Sequence, residues 1–180
     1  LPLLADALSG ARFPCRGAGP SNLPSAPIVV GGYDLALRDR RVAQELAPDL
    51  VIRVGVAPTS ATLGEWLSGL EGVSQIVVGS AGDWPDHAGV ATHMIRSDPG
   101  ACLRRVLELG GPPPKQEPGW LGAWERIEAR VRTEVEARRT DDSFDGALVA
   151  EVGRRVGAED LLFVSGSLAV RDIDTFLPCR

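Results

Sequence analysis

The chain is poor in the features that commit a sequence to several common designs. Its three cysteines, Cys15, Cys102 and Cys179, are odd in number and far apart, which excludes a disulfide framework or a paired zinc motif and leaves reduced, buried thiols. No apolar run reaches the roughly 18 to 20 residues needed to cross a bilayer, and no basic stretch precedes residues 1–8 as in a secretion signal. The sequence therefore reads as cytoplasmic and without a membrane span. Lys and Arg number 19 against 24 Asp and Glu, for a net charge of −5, and the basic residues are scattered. That distribution cannot neutralise a row of phosphates, so nucleic acid is excluded as a partner.

Chemical signatures are equally sparse. The glycines at 17, 19, 31 and 32 do not spell a dinucleotide-binding fingerprint, and no phosphate-cradling lysine loop is present. Ser165 and Ser167 lack the flanking glycines of a nucleophile elbow. His87 and His93 are six residues apart, which matches neither one helix face nor a usual metal spacing, so no metal site is expected. Asp83 and Asp86 enclose Trp84-Pro85 and read as a turn rather than an acid/base pair. Arg53, in an otherwise apolar run, reads as a strand end or a paired side chain.

What is present is an α/β pattern. Apolar residues make up 44% of the chain, enough to bury a core. Over the first 110 residues, short β-branched runs alternate with helical periodicity, the pattern of a parallel sheet with covering helices. A strand is expected at 50–54, buried on both faces. A helix capped by Thr59 or Ser60 should follow, with Leu63, Trp66, Leu67 and Leu70 inward. Further strands are expected at 76–78 and 93–95, then a helix opened by Asp98-Pro99, with Leu103, Val106 and Leu107 on its apolar face, and closed by Gly110-Gly111. Residues 110–119, rich in proline and glycine, read as a linker. Beyond it, Trp120, Trp124, Ile127, Val131 and Val135 mark one face of a long helix, with Glu128–Arg132 and Glu134–Arg138 pairs on its wet faces. A second helix carries Phe144, Leu148, Val149, Val152 and Val156, and a buried strand is expected at 161–164. Residues 2–6 read as a strand with no preceding helix, and the last forty residues open a second α/β unit without completing it. Both ends suggest a piece of a longer protein; the alternative is that the terminal pieces pack onto the central sheet.

The most informative chemistry lies at 164–172, where Ser165-Gly166-Ser167 opens a last helix. Free backbone N–H groups and the positive end of the helix dipole favour an anion there. Ser167 adds a hydroxyl, and Arg171, four residues on, shares its helical face and can grip a carboxylate or phosphate with two parallel hydrogen bonds. The plainer alternative is an N-cap serine and an arginine paired with Asp172 or Asp174.

The stretch 161–176, LLFVSGSLAVRDIDTF, resembles a segment of the 2-succinyl-5-enolpyruvyl-6-hydroxy-3-cyclohexene-1-carboxylate synthases that usually reads close to LFVGNSMPVRDLDTF. Residues 49–66, DLVIRVGVAPTSATLGEW, and 75–98 are similar to that family's central-domain strands and loops. The resemblance implies a thiamine diphosphate enzyme of three α/β domains. Residues 1–111 would be the Rossmann-like central domain without its first strand–helix unit, 112–140 a linker and linker helix, and 141–180 the beginning of the pyrophosphate-binding domain. It implies decarboxylation of 2-oxoglutarate and addition of the product to isochorismate, in menaquinone biosynthesis, with the cofactor carrying the chemistry. It assigns Ser167 and Arg171 to substrate binding and no catalytic or metal-binding residue to this chain. Thiamine diphosphate and Mg2+ or Mn2+ are expected in the full-length enzyme, a homodimer or homotetramer, but not on this fragment, which should be inactive alone. Two departures stand out: Gly166 replaces a usual Asn, and Ala61 stands where many members carry a substrate-reaching Lys. The competing reading is a free-standing Rossmann-like module that binds a small acid.

Overall fold

The structure, a computed structural model, describes residues 1–12, 28–80, 82, 84–111, 119–141, 143–157 and 159–177. Cys15, Cys179, Asp83 and most of the linker lie outside them. In chain order the elements are β1 (Pro2–Leu4), β2 (Ile28–Val30), α1 (Tyr33–Ala36), α2 (Arg40–Glu45), β3 (Leu50–Val54), α3 (Ala61–Ser68), β4 (Ser74–Gly79), β5 (His93–Arg96), α4 (Pro99–Leu109), α5 (Trp120–Ala137), α6 (Gly146–Arg155) and α7 (Leu168–Phe176). The fold is α/β, and every strand pair is parallel. Two compact units divide the chain, one of Leu1–Leu46 with Glu117–Arg180, the other of Ala47–Gln116. Residues 1–46 thus share a unit with the C-terminal helices. The reason is local: β1 pairs with β2, and β2 and α1 pack against α5, while α1 also meets α7.

The second unit holds the sheet β3-β4-β5. Ser60 caps α3 by accepting from the Leu63 N–H at 3.0 Å, and Asp98 caps α4 through the Ala101 N–H at 2.8 Å, both as the sequence implies. Gly110 ends α4 with φ 63. Helix α3 covers one sheet face, burying Leu63 and Leu67, and its Leu67 carbonyl accepts from the Gln75 side chain at 2.6 Å. The other face departs from expectation. Leu50, Ile52 and Val54 are about half exposed, because α4 packs on β4 and leaves β3's outward side chains uncovered. Leu103, Val106 and Leu107 of α4 are exposed as well.

In the first unit, Trp124 is 1% exposed and meets Trp120 edge to face, with ring centroids 6.3 Å apart. The Trp120 indole donates to the Leu46 carbonyl at 3.2 Å. Both expected ion pairs of α5 form, but Glu128 is not on a wet face. It is buried, and its carboxylate accepts from the backbone N–H groups of Gly31 and Gly32 at 3.1 and 2.8 Å. On α6, Val149 and Ala150 are buried while Leu148 is exposed. The rings of Phe144 and Phe176 meet edge to face at 5.1 Å. Residues 161–164 are not a strand: they join no ladder among the described residues, and Leu161 and Phe163 are 92% and 90% exposed. A buried strand needs hydrogen-bonded neighbours, which the described residues do not supply.

Close approach of α5 to the β2–α1 turn depends on Gly32, where an added Cβ would lie 2.7 Å from a Val131 methyl. Gly32→Ala is expected to destabilise the first unit by about 1–3 kcal/mol through overpacking, with Val131→Ala restoring part of the loss. Urea unfolding of the single and double variants checks both.

Candidate functional site

Helix α7 exists because its C-terminal half has a core to enter. Ile173 and Leu177 are buried against Val149 of α6, and the three residues Ile173, Asp174 and Thr175 are all buried. The N-terminal half differs. Leu168, Ala169 and Arg171 are exposed, as are Ser165, Gly166 and Ser167. The helix is thus held by its last turns and presents its first turn outward.

Ser167 and Arg171 sit where the sequence places them, at the residue before α7 and one turn into it. The Ser167 side chain makes no capping hydrogen bond; Asp174 is engaged elsewhere, and the Arg171 charge acts on the neighbouring Asp172, partly offsetting the burial and the Asp145 charge that raise that carboxyl. Ser167 has φ 69, the one positive φ at a non-glycine among the described residues, a conformation that costs on the order of 1–3 kcal/mol. An exposed hydroxyl, a helix start and an exposed guanidinium one turn on can together hold a carboxylate.

Behind them lies a buried polar cluster that the sequence pattern does not announce. Asp174 Oδ1 accepts from the Ala7 N–H at 2.8 Å, from Arg12 Nη1 at 3.0 Å and from the Tyr33 hydroxyl at 2.8 Å. Arg12 also donates to the Ala5, Gly31, Asp174 and Leu177 carbonyls, the last two at 2.8 and 2.6 Å. One residue along each helix, Thr175 donates to the Asp34 carboxylate at 3.4 Å. Burial, then the adjacent Asp174 carboxylate, raises the Tyr33 phenol far above its ordinary range, so it stays a donor. Burial also raises the Asp174 carboxyl, against the pull of Tyr33, Arg12 and the Ala7 N–H. Only one signal could have drawn attention here: Tyr33 is the sole tyrosine of the chain.

The remaining candidates fall in the second unit. Arg53 is paired, its Nη2 donating to Asp86 at 2.6 Å. Asp86 also accepts from the Ala91 N–H at 2.8 Å, which makes it a brace for the loop before β5. Its partner in the imagined acid/base pair, Asp83, lies outside the described residues. His87 and His93 are exposed, and His93 Nδ1 shares a hydrogen bond with Thr92 Oγ1 at 3.0 Å. Arg53, Ser60, Ala61, Glu65 and His87 line a cleft of about 470 Å³. Ala61 offers no charge there. Among the described residues no three His, Cys, Asp or Glu are grouped to hold a metal ion, and no helix is long and apolar enough to cross a membrane.

Burial alone would push the Asp86 carboxyl up, but the Ala91 N–H and the Arg53 guanidinium hold it below the ordinary carboxylate range. A depressed folded-state value means stability that is present above about pH 4 and lost as pH falls through the lower value. Acid titration of unfolding should show this loss in the second unit, and Asp86→Asn should be less stable at pH 7 and lose less on acidification.

No protein-family model matches the chain. Curated relatives match it along nearly its whole length, among them three named 2-succinyl-5-enolpyruvyl-6-hydroxy-3-cyclohexene-1-carboxylate synthase. The Bacillus velezensis protein is 33% identical over 97% of this chain, that of Geobacillus thermodenitrificans 35% over 98%, and that of Halobacterium salinarum 34% over 99%. The chain spans 29%, 28% and 28% of these relatives respectively. Over nearly its whole length the chain is thus similar to a stretch of proteins named 2-succinyl-5-enolpyruvyl-6-hydroxy-3-cyclohexene-1-carboxylate synthase, and its α/β fold is consistent with that likeness.

Proposed function

We propose that this chain is part of a thiamine diphosphate-dependent synthase of menaquinone biosynthesis, and that Ser167 and Arg171 bind a carboxylate of its substrates, 2-oxoglutarate and isochorismate. The observation that carries the site is the state of α7: its first turn is open, Arg171 is exposed, and Ser167 makes no capping bond. Near-full-length similarity to proteins named for this synthase supports the enzyme class. In this reading residues 1–111 belong to a central domain, 112–140 to a linker and 141–180 to the start of a pyrophosphate-binding domain.

The described side chains do not form a metal site. This reading gives the binding of thiamine diphosphate and of Mg2+ or Mn2+ to the rest of a longer polypeptide. When bound, the cofactor supplies the decarboxylation and carbon–carbon bond formation. This chain's contribution is to orient an anionic substrate: Arg171 offers a planar fork, Ser167 a hydroxyl, and the N-terminal N–H groups of α7 their partial positive charge. The catalytic assembly is a homodimer or homotetramer, and this chain by itself is inactive.

Two measurements test this. In the full-length enzyme, Arg171→Ala should raise KM for a carboxylate substrate at least tenfold, the loss of a charge-assisted contact; unchanged steady-state constants would overturn the assignment. Magnesium and thiamine diphosphate added to the 180-residue chain should leave its melting temperature unchanged. A clear upward shift would move the cofactor site into this chain.

A further inference from the structure

We infer that the buried Arg12–Asp174–Tyr33 cluster sets the rotation of α7 and thereby aims Arg171, so that Asp174 and Tyr33 are positioning residues for substrate binding. The inference rests on the reading of Ser167 and Arg171 given above. Helix α7 has little holding it in rotation at its N-terminal end, where residues 165–169 are exposed. Its orientation must come from its last turns. There the apolar contacts of Ile173 and Leu177 are non-directional, whereas the Asp174 carboxylate is fixed by three donors from two backbone segments: the Ala7 N–H and the Arg12 guanidinium from the turn after β1, and the Tyr33 hydroxyl from α1. Arg12 also takes the carbonyls of Asp174 and Leu177, groups that a helix end leaves without intrahelical partners. One cation thus secures both the side chain and the final turn.

The geometry carries this to the site. At about 100° per residue, Asp174 and Arg171 lie within about 60° of each other around the helix axis, so the clamped side chain and the binding side chain share one side of the helix. A rotation of about 10° moves a group about 6 Å from the axis by about 1 Å, a misplacement able to lower the rate about a hundredfold. Hydrogen bonds of fixed direction on Asp174 resist that rotation; packing alone does not. Tyr33 is the informative member, because removing its hydroxyl deletes one directional bond and leaves the ring, the ion pair and the burial in place.

The test uses the full-length enzyme with Tyr33→Phe, Asp174→Asn, Arg171→Ala and, as a control matched for lost stability, Leu46→Ala, a fully buried side chain placed before β3. For the substrate whose KM responds to Arg171→Ala, Tyr33→Phe and Asp174→Asn should raise KM about tenfold, well beyond Leu46→Ala at an equal drop in melting temperature. Combining Tyr33→Phe with Arg171→Ala should add no further rise in KM, since both act through the same guanidinium. A KM rise no larger than that of the control, or an additive double variant, overturns the positioning role alone. If Asp174→Asn does not fold, Tyr33→Phe decides by the same criteria. An Arg171→Ala enzyme with unchanged KM overturns the substrate-binding reading itself, and this inference with it.

Discussion

The first unit depends on one carboxylate. Asp174 is 1% exposed and draws its donors from Ala7, Arg12 and Tyr33, residues 141 to 167 positions away in the chain. A buried charge of this kind is costly to desolvate, and a buried ion pair adds little net stability over an apolar replacement. Its weight lies in specificity. Removing one partner leaves the other unpaired in a low-dielectric interior, typically a loss of about 3–5 kcal/mol, and no apolar contact could impose the same directions on the two incoming segments. β1, the β2–α1 turn and the end of α7 are therefore mutually required, which explains why the first strands share a unit with the last helices.

The second unit is organised differently, by neighbours in sequence. Its strands follow one another in the sheet in chain order, β3-β4-β5, its two helices begin at side-chain caps, and its one strongly buried ion pair, among the described residues, joins β3 to the loop before β5. Such a unit needs no distant residue to define it. The two units thus illustrate two ways of specifying α/β structure: punctuation and short crossovers in one, a long-range polar clamp in the other.

That contrast governs what could be read in advance. Strands at 50–54, 76–78 and 93–95, the caps at Ser60 and Asp98, the long helix from Trp120 and the helix after Ser167 are all written in local signals, and all form. Short β2, α1 and α2 escaped, since three to six residues carry too little periodicity to register. Burial was misjudged where it depends on what covers a face: Ile52, Leu107, Leu148 and Phe163 are apolar and exposed, while Glu128 is charged and buried. The positions of Ser167 and Arg171 were legible because the Ser165-Gly166-Ser167 punctuation marks the helix start. The clamp behind them was not, because nothing in the spacing of residues 7, 12, 33 and 174 records that they meet.

The fate of Glu128 bears on how this α/β unit differs from others. A parallel strand ending in two glycines that lead into a helix is the place where many nucleotide-binding proteins cradle phosphate oxygens with backbone N–H groups. Here the Gly31 and Gly32 N–H groups are already engaged by the carboxylate of Glu128 from α5, and Val131 packs hard against Gly32. The chain carries its own carboxylate at the tip of β2. A free nucleotide offered to this turn would have to evict a covalently tethered competitor, so the architecture is retained while its commonest use is foreclosed.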